Sequence, residues 1–233
     1  MTPEITALLF TAASIGFVHT VLGPDHYLPF VAMAHARNWS RPRTIVITAL
    51  CGVGHVLSSV VLGLIGVAIG AAVSALISIE SVRGDLAAWG LVAFGLVYFV
   101  WGLRRASRHL PHMHGPIGDR THQHRGHEPS DPRHHHVSEK ANITPWVLFT
   151  IFVLGPCEPL IPILMYPAAQ HSYSGMIVVT MVFGVTTIGT MIGSVLLLQR
   201  GIKLIPVARI ERYAHAFAGA VILLCGVAIK MGL

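Results

Sequence analysis

The chain has 233 residues, of which 53% are hydrophobic and only 11% charged, with a mean hydropathy of +0.66. A soluble domain carries about 25% charged residues, so this composition leaves no room for a separate soluble domain. The net charge of +6 raises nucleic acid as a partner, but the basic residues cluster between apolar stretches, where membrane topology accounts for them.

A hydrocarbon core of about 30 Å needs about 20 apolar residues per helix. Six stretches of that kind follow one another, at about 13–34, 44–78, 86–103, 144–169, 174–198 and 207–229. Between Thr44 and Ser78 there is no Asp, Glu, Lys or Arg. Lipid cannot satisfy backbone N–H and C=O groups, so these stretches are expected as helices. The opening Met1-Thr2-Pro3-Glu4 has no positive region, so the first stretch reads as a permanent span and not a cleaved signal. Cys51, Cys157 and Cys225 all lie in apolar stretches without a C-x-x-C pair. A disulfide framework is therefore not expected.

The basic residues orient the chain. Arg37, Arg41 and Arg43 follow the first helix. Arg104, Arg105, Arg108, Arg120, Arg125, Arg133 and Lys140 follow the third, and Arg200, Lys203, Arg209 and Arg212 the fifth. These three loops hold 14 of the 16 Lys and Arg, against Arg83 and Lys230 on the other side. The positive-inside rule places the 14 in the cytoplasm and both termini outside. The expected fold is an all-α protein of the cytoplasmic (inner) membrane with six transmembrane helices. Its parts are a first three-helix repeat (1–103), a cytoplasmic loop (104–140) and a second, inverted three-helix repeat (141–233).

The repeat is visible as Val21-Leu22-Gly23-Pro24 returning as Val153-Leu154-Gly155-Pro156, an offset of 132. Gly52-Val53 and Met33 return at the same offset as Gly184-Val185 and Met165, and Gly102-Leu103 matches Gly232-Leu233 at 130. Three spans per half force the second half to enter from the opposite side, as in inverted-repeat transporters. Proline lacks an N–H and clashes with the preceding turn, so helices 1 and 4 are expected to break at their Gly-Pro steps. At about 1.5 Å per residue, Pro24, Pro156 and His55 all fall near the midplane.

Polar residues gather at these breaks: His19, Asp25 and His26 in helix 1, and His55 in helix 2. The repeat-equivalent second-half positions hold Cys157 and Glu158, then Thr186 and Thr187. Ionisable groups inside a membrane are expensive and functional by default. Imidazoles and carboxylates at one depth suit a first-row transition metal better than calcium or magnesium. His19, Asp25, His26 and His55 are thus the expected metal ligands, with Cys157, Glu158, Thr186 and Thr187 as a second-half polar site.

The run from His19 to His26, with Asp25 beside His26, and the Gly54-His55 pair together resemble the signature of the nickel/cobalt transporter family. The likeness is strongest to its six-helix urease-accessory-like and nickel/cobalt efflux-type relatives. The spacing here is H-x5-D-H where that family carries H-x4-D-H. The resemblance implies a secondary transporter of a divalent metal ion, nickel or cobalt favoured and zinc admitted, with direction unresolved. The loop adds nine histidines within 28 residues: His109, His112, His114, His122, His124, His127, His134, His135 and His136. Short His-rich tracts point to metal capture. On this reading the protein is not an enzyme and carries no prosthetic group. Its partners are the metal ion, the bilayer and, in a homo-oligomer, further copies of itself, and do not include nucleic acid.

A second reading is a membrane electron carrier, of thiol–disulfide or haem type. Carriers of similar architecture place a cysteine beside a break in each half. Here Cys157 occupies that place in the second half and Asp25 in the first, while a bis-His haem would lie between helices 1 and 2.

Overall fold

The computed structural model describes residues 3–70, 72–108, 144–203 and 211–232. The described residues form eight α-helices and no strand. They are α1 (Pro3–Leu22), α2 (Leu28–Ala36), α3 (Arg41–Ala68), α4 (Val73–Arg108), α5 (Thr144–Leu154), α6 (Leu160–Ala169), α7 (Tyr173–Lys203) and α8 (Ala214–Lys230). Within them, Glu4–Leu22, Arg41–Ala68, Val73–Ser107 and Tyr173–Ile202 are each long and apolar enough to cross a membrane, and α5, α6 and α8 are shorter apolar helices. Large apolar side chains stand exposed on the outside, among them Phe10, Leu22, Val97 and Leu197. Water would penalise such a skin and lipid does not, so the chain is a multi-pass membrane protein.

The expected spans are adjusted in four places. The first helix begins at Pro3 instead of near residue 13. The charge-free stretch 44–78 divides between α3 and α4 at a turn where Gly70 takes φ +65°, a conformation glycine adopts at no steric cost. The third helix begins at Val73 instead of near residue 86, because Arg83, which reads as a loop charge, pairs with Glu80 inside α4. Arg104–Arg108, assigned to the loop, belong to the last turns of α4. The nine loop histidines, His109, His112, His114, His122, His124, His127, His134, His135 and His136, lie outside the described residues, as does most of the segment 104–140.

Both Gly-Pro steps break their helices. Residues 23–27 separate α1 from α2, with a 3₁₀ turn at Pro24–His26, and residues 155–159 separate α5 from α6. Around them, α1 packs on α7, α3 on α5, α6 and α7, and α4 on α8. The α4–α8 contact brings backbone against backbone. A Cβ on Gly95 would lie 2.4 Å from the Leu223 nitrogen, and one on Gly219 would lie 2.3 Å from the Phe99 nitrogen. Gly102 meets the Ala216 nitrogen at 2.3 Å and Gly226 the Val92 nitrogen at 2.8 Å in the same sense. In lipid there is no hydrophobic drive between helices, and close approach through small residues supplies the packing instead.

Replacing Gly219 by Val is therefore expected to cost at least about 1–3 kcal/mol by overpacking. It should lower the thermal midpoint of the detergent-solubilised protein. Gly189→Ala, where nothing lies within 4 Å of the added carbon, should leave the midpoint unchanged or raise it.

Candidate functional site at the helix breaks

In a continuous helix the N–H of residue 156 would bond the carbonyl of Phe152, and that of residue 157 the carbonyl of Val153. Pro156 has no N–H, and the chain turns away before Cys157 can reach back. Both carbonyls find other donors. His55 Nδ1–H donates to Phe152 C=O at 3.3 Å, shared with the Gly155 N–H at 3.1 Å. Arg83 Nη2 donates to Val153 C=O at 2.7 Å. The released Cys157 N–H donates to Glu80 Oε2 at 3.0 Å and lies 3.2 Å from Ser59 Oγ. The first break is handled alike: Tyr27 Oη–H donates to Val21 C=O at 3.2 Å, the residue equivalent to Val153.

The anchor of the second break is a buried network that sequence reading missed. Glu80 is completely buried. It pairs with Arg83, accepts the Ser59 hydroxyl at 3.1 Å and holds the Cys157 amide. Arg83 also donates to Ser58 Oγ at 2.6 Å, and that hydroxyl donates to the carbonyl of His55 at 2.8 Å. One ion pair thus positions both the Cys157 backbone and the turn carrying His55. An acid and a base three residues apart inside an apolar run was the available signal.

The carbonyl fixes the His55 tautomer. A C=O only accepts, so Nδ1 carries the proton and Nε2 presents a lone pair. That Nε2 is buried without a partner, as is Nε2 of His19. The two imidazoles and the Cys157 thiol each offer a ligand atom, and these three atoms all lie within 4.8 Å of one another. His26, 4% exposed, stands edge-on to both imidazoles, with ring centroids 4.8 Å from His19 and 5.1 Å from His55. Its Nδ1 is 3.3 Å from Asp25 Oδ1, close enough for ionic attraction but without hydrogen-bond alignment. Glycine keeps the backbone close to the cluster: a Cβ on Gly23 would lie 2.6 Å from His26 Nδ1, and one on Gly155 would press on His55 Nδ1 at 3.1 Å.

A cavity of about 480 Å³ opens onto the cluster. His19, Asp25, His26 and His55 line it together with Gly84, Glu158, Ile229 and Gly232. It runs to the end of α8, where Lys230 Nζ binds Asp85 Oδ1 at 2.6 Å. This end holds the two basic residues, Arg83 and Lys230, that stand apart from the other 14. Of the expected site residues, His19, Asp25, His26 and His55 do converge, with Asp25 turned to His26 and the third close ligand atom supplied by Cys157. Cys157 crosses to the first-half histidines instead of forming a separate second-half pair with Glu158. Glu158 is exposed at the cavity rim. Thr186 and Thr187 are not among the lining residues, and Thr187 packs under Gly16 of α1.

A family model described as the cytochrome C biogenesis protein transmembrane region matches residues 28–228. The chain belongs to that family. No curated protein and no solved structure matches it. Membership overturns the resemblance to nickel/cobalt transporters, and with it the reading of the chain as a nickel or cobalt carrier. That resemblance rested on short first-half motifs around His19–His26 and Gly54-His55. Polar side chains at a Gly-Pro break satisfy a local need, covering and lining an interrupted helix, that differently employed membrane proteins share. The match to the cytochrome c biogenesis family runs through both halves and takes in His55, Glu80, Arg83 and Cys157.

Arg83→Met should leave the Glu80 carboxylate buried and unpaired, at a cost of about 3–5 kcal/mol. The Glu80→Gln/Arg83→Met double variant should recover a large part of that loss. Thermal unfolding of the three purified proteins in detergent checks the order wild type, double variant, single variant.

Proposed function

We propose that this protein is a membrane electron carrier serving cytochrome c biogenesis, with its working site at the cavity formed by the two helix breaks. The family match carries this reading. The site chemistry supports it, because the redox-active Cys157 thiol stands with two buried imidazoles and the half-buried His19 where packing alone would favour apolar residues. The thiol–disulfide form of the reading lacks a second thiol: the three cysteines are free, and Cys51 and Cys225 belong to a different core cluster from Cys157. The haem form lacks space, since rings in edge contact at 4.8 and 5.1 Å leave no slot between them for a macrocycle.

The architecture we infer is two inverted three-helix repeats, α1 to α4 and α5 to α8, with each broken pair crossing as one span. Contacts that exchange under a two-fold support it. Gly52 meets Ile188 and Gly184 meets Val56, and both 184 − 52 and 188 − 56 give 132. Gly95 meets Leu223 while Gly219 meets Phe99, and Gly102 meets Ala216 while Gly226 meets Val92. Here 219 − 95, 223 − 99, 226 − 102 and 216 − 92 all give 124. The third helices therefore correspond at 124 and not at the 130 read from Gly102-Leu103 and Gly232-Leu233. Gly232 lies past the end of α8, where an added Cβ would meet nothing within 4 Å.

In the cytoplasmic membrane, with the basic end inside, the cavity opens on the outer side, where c-type cytochromes are matured. Deleting the gene should lower haem-stained c-type cytochromes several-fold. Wild type should restore them, whereas His55→Ala or Cys157→Ala, present at equal level in the membrane, should not. Unchanged cytochromes in the deletion strain refute the reading. A single cysteine introduced at Ser130 should label only after the membrane is permeabilised, and one introduced at Thr2 should label in intact cells.

A further inference from the structure

We propose that His19, His55 and Cys157 hold one copper(I) ion. The site is argued from its ligand atoms and goes beyond the electron-carrier reading. The sequence alone offered carboxylate and imidazole donors, which suit harder divalent ions. Folding replaces the carboxylate with a thiol, because Asp25 turns to His26 while Cys157 is carried in by the second break. Two imidazole nitrogens and one cysteine sulfur in a trigonal arrangement are a donor set of copper electron-transfer sites.

Three observations point to an ion instead of a packing accident. His55 is 3% exposed and its Nε2 has no partner, although a buried nitrogen left unbonded is costly. The other nitrogen of the same ring donates to a backbone carbonyl at 3.3 Å, the arrangement that orients a metal-binding imidazole and fixes its tautomer. The Cys157 backbone is pinned by Glu80 and Ser59, so the thiol is presented from a fixed point. Ligand atoms within 4.8 Å of one another need to close by only about an ångström to surround one ion at the roughly 2.0–2.3 Å typical of nitrogen and sulfur ligands.

Charge selects the oxidation state. Binding replaces the thiol proton: Cys–SH and Cu⁺ give a neutral Cys–S–Cu unit, and the proton leaves through the cavity to solvent. A divalent ion on the same three ligands would leave an uncompensated positive charge in a low-dielectric site, which is expensive.

The test uses the full-length protein purified copper-free in detergent and titrated anaerobically with copper(I) against a chromophoric copper(I) chelator. The loop histidines also take up copper, so the decisive readout is X-ray absorption. One equivalent should bind with a copper–sulfur shell in wild type and in Cys51→Ser, and that shell should vanish in Cys157→Ser. His19→Gln and His55→Gln should weaken this equivalent by at least about 10–100-fold. If Cys157→Ser is not recovered folded, His19→Gln on the opposite wall of the cavity decides. Nitrogen-only scattering in wild type, or undiminished tight binding in the His19 and His55 variants, overturns the site. If cytochrome maturation fails in the deletion strain while no sulfur-bound copper is found, the copper site is wrong and the carrier reading stands. Sulfur-bound copper with normal cytochromes upholds the copper site and refutes the carrier reading.

Discussion

Every feature of the site depends on one deficit: a proline at membrane depth leaves helix carbonyls without donors, and lipid supplies none. At the second break the deficit is met by His55 and Arg83, and the amide set free at Cys157 is taken by Glu80 and Ser59. A buried backbone group left unbonded costs about as much as a lost hydrogen bond, so these side chains are bound to the break as firmly as the helix turns they replace. The same contacts orient the imidazole and the thiol. Structure and site are one network, and the glycines at 23 and 155 keep it close enough to work.

The Glu80–Arg83 pair shows how such a network tolerates charge inside a membrane. A buried pair gains little over apolar packing and becomes costly only when one partner is lost. Its worth here is positional. Four elements meet at it: α4 through both residues, α3 through Ser58 and Ser59, α5 through Val153, and the break through Cys157. The α4–α8 glycine contact holds α4 in place from behind, so the position of the site is transmitted from a helix interface that touches none of its ligands.

The cavity has a direction. Its inner wall carries fully buried groups and its rim carries the exposed Glu158 and the half-buried Asp25, near the Lys230–Asp85 pair. The opposite end of the molecule is basic and is tied by different chemistry. There Arg37 donates to Tyr98 Oη and Thr144 Oγ1, and Tyr98 Oη lies 2.8 Å from His215 Nδ1.

The sequence by itself determined the membrane class, the two breaks and the convergence of His19, His26 and His55. Each follows from a local rule: apolar length, the missing proline N–H, or ionisable residues at similar distances along helices. It misled on family, because a short polar motif beside a Gly-Pro step reports the break and not the chemistry done there. It misplaced the start of α4, because a charge pair inside a helix reads as a loop until its burial is seen. Only the tertiary structure decided that Cys157 supplies the third close ligand atom while Asp25 turns to His26, and that Glu80 and Arg83 hold the break. Those outcomes depend on how helices distant in sequence are rotated and seated against one another. That rotation is set by glycine contacts and hydrogen bonds between residues 70 or more positions apart, which no local pattern records.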